Sequence, residues 1–149
     1  MHILTALGPG AIPLAVTSSP GQRHDSLYVW SLLDAVRIGQ RRGRPRRRPR
    51  ALAGDKGYSS RGTRSGLWRR HIRPVIPERD DQRKHRHGRP PRFDKAAYRQ
   101  RCGIERRIGW LKEYRRLATR YEKLAQTWEA DWRIAMIQVY LKILFPNTA

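Results

Sequence analysis

Two basic stretches punctuated by proline and glycine, residues 39–50 (GQRRGRPRRRPR) and 79–92, separate the apolar residues of this chain into three pieces. Such stretches are expected to be solvated and mobile when nothing binds them. The apolar pieces must therefore meet across them. With 149 residues at 38% hydrophobic, they fit one modest domain. The charge is lopsided: 33 Lys+Arg against 12 Asp+Glu gives +21. That balance favours a polyanionic partner, nucleic acid first. Arginine predominates over lysine, which suits bidentate phosphate contacts, although a GC-rich coding bias also produces it. Arg42-Gly43-Arg44-Pro45, followed by Arg46, resembles the core of an AT-hook, whose extended backbone lays Arg side chains into the minor groove; a nonspecific phosphate-contacting loop is the plainer expectation.

Cys102 is the only cysteine, which excludes an intramolecular disulfide and a cysteine-based zinc site. A reducing cytosol is the natural setting. The apolar N-terminus lacks a basic n-region and is interrupted by Gly8-Pro9-Gly10. No run of about 18 apolar residues occurs, so no membrane span is expected.

Residues 2–7 and 11–17 are apolar and partly β-branched on either side of Gly8-Pro9-Gly10, a pattern that predicts a β-hairpin. Asp25 or Ser26 is placed to cap a helix carrying Leu27, Trp30, Leu33 and Val36 and ending near Gly39. Ala51–Gly54 reads as a short strand, Asp55-Lys56-Gly57-Tyr58 as a turn, and Ser59 or Ser60 as the cap of a helix reaching about Arg70. His71 to Pro77 reads as another Pro-bounded strand, giving an α/β pattern. From Asp94 the apolar spacing is helical to about residue 117, and residues 125–144 form a second helix expected to pack on the small sheet.

Glu105 is the single acidic residue in YRQRCGIERRIGWLK, residues 98 to 112. Measured from Tyr98 at about 100° per residue, Arg101, Glu105 and Lys112 fall at about 300°, 340° and 320°. All share one stripe, at the semi-buried border beside Ile104, Ile108 and Leu111. On periodicity alone, Arg101 and Glu105 form a helix-stabilising i, i+4 pair. A catalytic reading needs a second carboxylate, because a metal that activates an oxygen for phosphoryl attack takes oxygen ligands from separate elements. Asp55, at the predicted C-terminal end of a strand, is the candidate; an Asp is also favoured there simply as a turn residue.

Tyr98, Arg101, Glu105 and Lys112, with gaps of two, three and six residues, match the Y-R-E-K signature around the last catalytic carboxylate of bacterial insertion-sequence DDE transposases. LAGDKGYSSRGTR resembles that family's segment around its second catalytic Asp, and PLAVTSSPGQRHDS and LATRYEKLA resemble further segments in the same order. The resemblance implies an α/β fold: a partial ribonuclease H-like core, a small mixed sheet with flanking helices over residues 1–117, and a C-terminal helical extension over 118–149. It also implies a three-carboxylate site for two Mg²⁺ ions, with Mn²⁺ as a substitute, in which Asp55 and Glu105 are metal ligands. Tyr98 and Lys112 would face transposon-end DNA, Arg101 would hold Glu105 or contact phosphate, and Arg42, Arg44 and Arg46 would add phosphate contacts. The implied function is DNA transposition in the bacterial cytoplasm, in association with the nucleoid.

Two departures qualify that resemblance. The family's first catalytic Asp lies on a strand upstream of the hairpin, and no Asp or Glu precedes Asp25 here. Asp25, after the hairpin, is in the wrong place to replace it. Cys102 stands where many relatives carry Asn. The chain alone is therefore expected to be inactive, a remnant or the downstream part of a frameshifted product, completed by an upstream segment that supplies the Asp. A second copy of the chain is a further candidate partner. The competing class is a basic protein that binds or regulates transposon DNA without chemistry. A recombinase with a Tyr or Ser nucleophile would need an activating Arg/His cluster that Tyr58, Tyr98 and Ser59 lack. His85 and His87 flank an Arg in a basic stretch and read as solvated.

Overall fold

Ile3 lies opposite Val16 and Leu4 opposite Ala15 in the antiparallel pair formed by β1 (His2–Thr5) and β2 (Pro13–Thr17). The computed structural model describes residues 1–6 and 10–146. The expected turn at Gly8 and Pro9, with Leu7 before it, lies outside the described residues, as do residues 147–149.

After β2 the chain makes a 3₁₀ turn at Asp25–Tyr28 and continues as α1 (Val29–Ala35). The cap is His24, whose ring nitrogen accepts the Ser26 N–H at 3.2 Å, in place of the expected Asp25 or Ser26. The helix ends before Gly39 because Val36 turns extended and is buried, carrying the chain away from the helix axis. Leu27 is left exposed.

The first basic stretch is pinned. Ile38 and Arg46 exchange backbone hydrogen bonds of 3.0 and 2.8 Å, closing a loop that turns at Gly43, where φ is +89°. Glycine reaches that left-handed conformation without steric cost. The extended backbone of an AT-hook is thus replaced by a turn, with Arg42, Arg44 and Arg46 exposed around it.

β3 (Ala51–Ala53), α2 (Arg61–Arg69) and β4 (Arg73–Val75) form a β–α–β unit in which β3 and β4 pair in parallel. Ser60 caps α2 by accepting the Thr63 N–H at 3.1 Å. The helix ends in a Schellman arrangement: His71 takes φ +57°, its N–H reaches Trp68 O, and the Ile72 N–H reaches Leu67 O at 2.9 Å. Gly66 is required where α2 crosses α1, since a Cβ there would stand 2.5 Å from the Trp30 ring. One mixed sheet was the sequence expectation. Among the described residues the structure has two separate two-stranded sheets, one antiparallel and one parallel, with no ladder joining β1 to β3.

The second basic stretch also folds in part. Asp80–Lys84 forms α3, with Asp80 and Asp81 in the first turn and Arg83 and Lys84 in the last, matching the helix dipole. Gln82 reaches Ser59 O at 3.3 Å and Glu78 pairs with Arg86 at 2.6 Å, so this segment is tied to the body of the protein.

Beyond it come α4 (Lys95–Arg99), α5 (Cys102–Lys112), α6 (Arg115–Ala118) and α7 (Ala125–Leu144), the last with the bounds its sequence spacing predicts. Trp132, Ala135, Met136 and Val139 of α7 pack with Val16, Leu111 and Leu117. Glu129 clamps α7 to the end of β2, accepting the Ser18 N–H and Oγ–H, each at 2.6 Å; the Tyr140 hydroxyl donates to Pro13 O. The opposite face of α7 leaves Ile134, Ile137, Leu141 and Leu144 exposed. A second cluster, Val29, Leu33, Leu67, Ile72 and Ile76, lies under the β–α–β unit. Among the described residues no helix is long and apolar enough to cross a membrane.

Candidate catalytic and nucleic-acid site

The parallel pair delivers Asp55. β3 stops at Ala53, Gly54 donates its N–H to Val75 O, and the chain enters a 3₁₀ turn at Lys56–Tyr58. Asp55 caps that turn, its Oδ1 accepting the Gly57 N–H at 2.8 Å, and its carboxylate is exposed. The side chain is therefore oriented by the backbone at the carboxyl end of a strand.

The stretch from Asp94 to about 117 is not one helix, and the stripe drawn on a single axis fails at its first step. Between α4 and α5 the backbone tightens: Arg101 N–H bonds Tyr98 O at 3.0 Å and Ile104 N–H bonds Arg101 O at 2.9 Å, an i→i−3 pattern. Tyr98 thus belongs to α4 and packs its ring against Phe93, with centroids 5.2 Å apart. Arg101 and Glu105 do meet, at 3.1 Å across one helical turn. Glu105 is exposed, with a side-chain exposure of 67%, in place of the semi-buried border position. Gly103 and Leu111 are the residues α5 buries, so its inward face is rotated away from Glu105. Lys112, at the end of α5, is exposed.

Asp55 and Arg101 come together at a cavity of about 220 Å³ between the two sheets. Ile3 and Leu4 line one side, Leu52 and Ala53 another, and Ile104 and Ile108 of α5 contribute a third. Glu105 reaches this cavity only through Arg101.

Asp25 is the residue that sequence reasoning set aside and the structure brings in. It lines the same cavity as Asp55 because the 3₁₀ turn at 25–28 packs on the turn at 56–58. Its carboxylate lies 3.7 Å from His2, which stacks on Tyr28 and bonds Ser19 at 2.8 Å. Burial, reinforced by the carboxylates of Asp25 and Asp55, pushes the Tyr58 hydroxyl up to about 12, with Arg101 acting against it.

Several arginines serve the fold itself. Arg64 donates to Ser59 O and Ile76 O, Arg107 donates twice to Gly10 O, and Arg70 covers the Trp30 ring while pairing with Asp34. The three loop arginines at 42, 44 and 46 have no carboxylate partner among the described residues.

Residues 1–140 match the transposase DDE domain family. The chain is also 34% identical, over 125 residues, to a protein from Burkholderia cepacia assigned as a transposase for insertion sequence element IS402. That alignment covers 83% of this chain and 54% of the relative, so the chain spans about half the relative's length. The chain belongs to the DDE transposases of bacterial insertion sequences. No solved structure matches it.

DDE transposases as a family use divalent metal ions. The carboxylates present fit such an ion in kind. Asp55 engages one oxygen with Gly57 and Glu105 one with Arg101, which leaves each a second oxygen without a hydrogen-bond partner among the described residues. Hard oxygen donors of this type suit Mg²⁺. No group of three or more His, Cys, Asp or Glu able to hold a metal occurs among the described residues.

Proposed function

We propose that this chain is the DNA-binding, carboxylate-bearing portion of an insertion-sequence transposase whose reaction is metal-dependent strand cleavage and strand transfer at the element's ends. The observation that carries this reading is the meeting of Asp55 and Arg101 at one cavity in a chain whose residues 1–140 match the family. Asp55 and Glu105 would hold the divalent ions, Mg²⁺ or Mn²⁺ in its place. When bound, such ions activate the attacking oxygen and stabilise the leaving 3′ oxygen at a DNA phosphate. Arg101 acts on the protein side, orienting Glu105 through its 3.1 Å contact and neutralising charge beside it. Tyr98 and Lys112 are assigned to the transposon end, and Arg42, Arg44 and Arg46 to phosphates.

The third carboxylate comes, in this reading, from a segment beyond the residues described. Among the described residues β1 and β3 each pair on one side only, and both line the cavity that holds Asp55 and Arg101. An extended segment placed between those edges would satisfy their backbone groups and complete a ribonuclease H-like sheet. Until it is supplied, the chain binds DNA and does not cut it. The incomplete ligand set equally favours a second reading, in which the chain binds transposon DNA without chemistry at all.

The test is binding of a labelled blunt duplex measured across a salt series, with nicking of supercoiled plasmid in Mg²⁺ measured in parallel. The expected result is an affinity that falls with salt by about 0.9 log unit per log unit for each phosphate neutralised, with intact plasmid. Salt-independent binding, or no binding, would overturn the DNA assignment; nicking by the chain alone would overturn the claim that its ligand set is incomplete.

A further inference from the structure

On the far side of α2 from its buried face, Trp68 projects from the helix with 58% of its surface exposed. Its partners are not core residues, since α2 buries Thr63, Gly66 and Leu67 and Trp68 belongs to no core cluster among the described residues. The indole instead walls an open cleft of about 600 Å³ together with Arg73, Arg92, Phe93, Asp94 and Lys95. No residue of this cleft lines the cavity that holds Asp55.

The charges in the cleft are unevenly committed. Asp94 is used twice by the fold: it accepts the Ala97 N–H at 2.9 Å to cap α4, and it lies 3.3 Å from Arg73. Arg92 and Lys95 are exposed and have no carboxylate partner among the described residues. The cleft therefore offers a flat aromatic wall beside cations free to take an anion. The Phe93 ring packs on Tyr98, which precedes Arg101 by one turn.

We propose that this cleft is a stacking site for an unpaired nucleotide of DNA, with the base on the Trp68 indole and its phosphates on Arg92 and Lys95. The inference rests on the DNA reading above and adds the kind of DNA taken. A base inside a duplex has both faces covered by its neighbours, so an indole standing free in a cationic cleft can stack only a base that is outside the helix. Base–aromatic stacking tolerates any sequence, because every base has a π face, and adjacent cations hold the backbone.

The experiment compares two probes at one salt concentration, a blunt duplex and the same duplex with a single-stranded 3′ extension. Fluorescence anisotropy with the full chain reads both affinities. The wild type is expected to prefer the extended probe, and Trp68→Ala to lose that preference by on the order of tenfold while binding the blunt duplex as before. Trp68→Phe should keep most of the preference, since it retains an aromatic face. Equal weakening of both probes by Trp68→Ala would mean a merely structural indole, and no weakening of either would mean a wall that touches no base; each result overturns the proposal. Wild-type binding to the blunt duplex without preference for the extension sinks this inference alone, whereas failure to bind the blunt duplex sinks the DNA reading with it.

Discussion

Asp55 leaves the end of a parallel strand pair that rests on Val29, Leu33, Leu67, Ile72 and Ile76, and a backbone N–H fixes its carboxylate. Glu105 rides a helix anchored through Leu111 in the cluster with Trp132, Met136 and Val139, and among the described residues only the Arg101 side chain holds it. The first carboxylate is positioned by the fold before any ligand arrives. The second is positioned by an exposed ion pair, a kind of contact that contributes less than about 1 kcal/mol. A site built from both has one rigid half and one adjustable half, and the adjustable half depends on how firmly α5 to α7 dock against β2.

The largest effect should come from the cluster under Glu105. Trp132→Ala removes an indole that is 1% exposed and should cost about 3–5 kcal/mol. Hydrogen exchange should then rise first in α5 to α7, while β3, α2 and β4 keep their protection until global unfolding. Simultaneous loss of protection in both regions would break the comparison, because it would show one cooperative core.

A smaller effect belongs to the Glu129 clamp. Burial alone would raise its carboxyl, but the two Ser18 donors and Arg133 outweigh that and hold it below the ordinary value. A depressed folded-state value means the stabilisation is present above the unfolded value of about 4.3 and is lost as pH falls through the folded one. Glu129→Gln should therefore cost about 1–3 kcal/mol at neutral pH. The gap between variant and wild type should close in acid, as read by urea denaturation across a pH series. A gap that persists at low pH would remove the charge from the account of the clamp.

Arg101→Ala should have the smallest effect on stability, within about 0.5 kcal/mol, because the pair it breaks is exposed and joins neighbours on one helix. A loss several times larger in thermal unfolding would show that Arg101 supports the fold at the cavity, and that Glu105 is less adjustable than its exposure implies.

The elements legible in the sequence are those fixed by local pattern. The hairpin strands, the β3–α2–β4 unit with its Ser60 cap, and α7 at Ala125–Leu144 all follow from apolar spacing and capping residues. What was not legible depends on contacts between distant residues or on one-residue changes of helical pitch. The Ile38–Arg46 bridge and the Gln82–Ser59 bond fold parts of two stretches that composition marks as linkers. The i→i−3 bonds around Arg101 shift the helix phase, which a single-axis reading of residues 98 to 112 cannot register. Within the candidate site, Asp55 at a strand end and the Arg101–Glu105 pair were readable. Asp25 was not, because its approach to Asp55 is made by two turns packing together rather than by any spacing along the chain.

The claim that Asp55 and Glu105 serve one metal site, despite being held so differently, is tested most directly by the effect of Mn²⁺ on thermal unfolding. Wild type, Asp55→Asn and Glu105→Gln would be compared in the same titration. The account predicts that Mn²⁺ raises the wild-type Tm and that either substitution abolishes the rise. A wild type unmoved by Mn²⁺, or a rise that survives both substitutions, would contradict it.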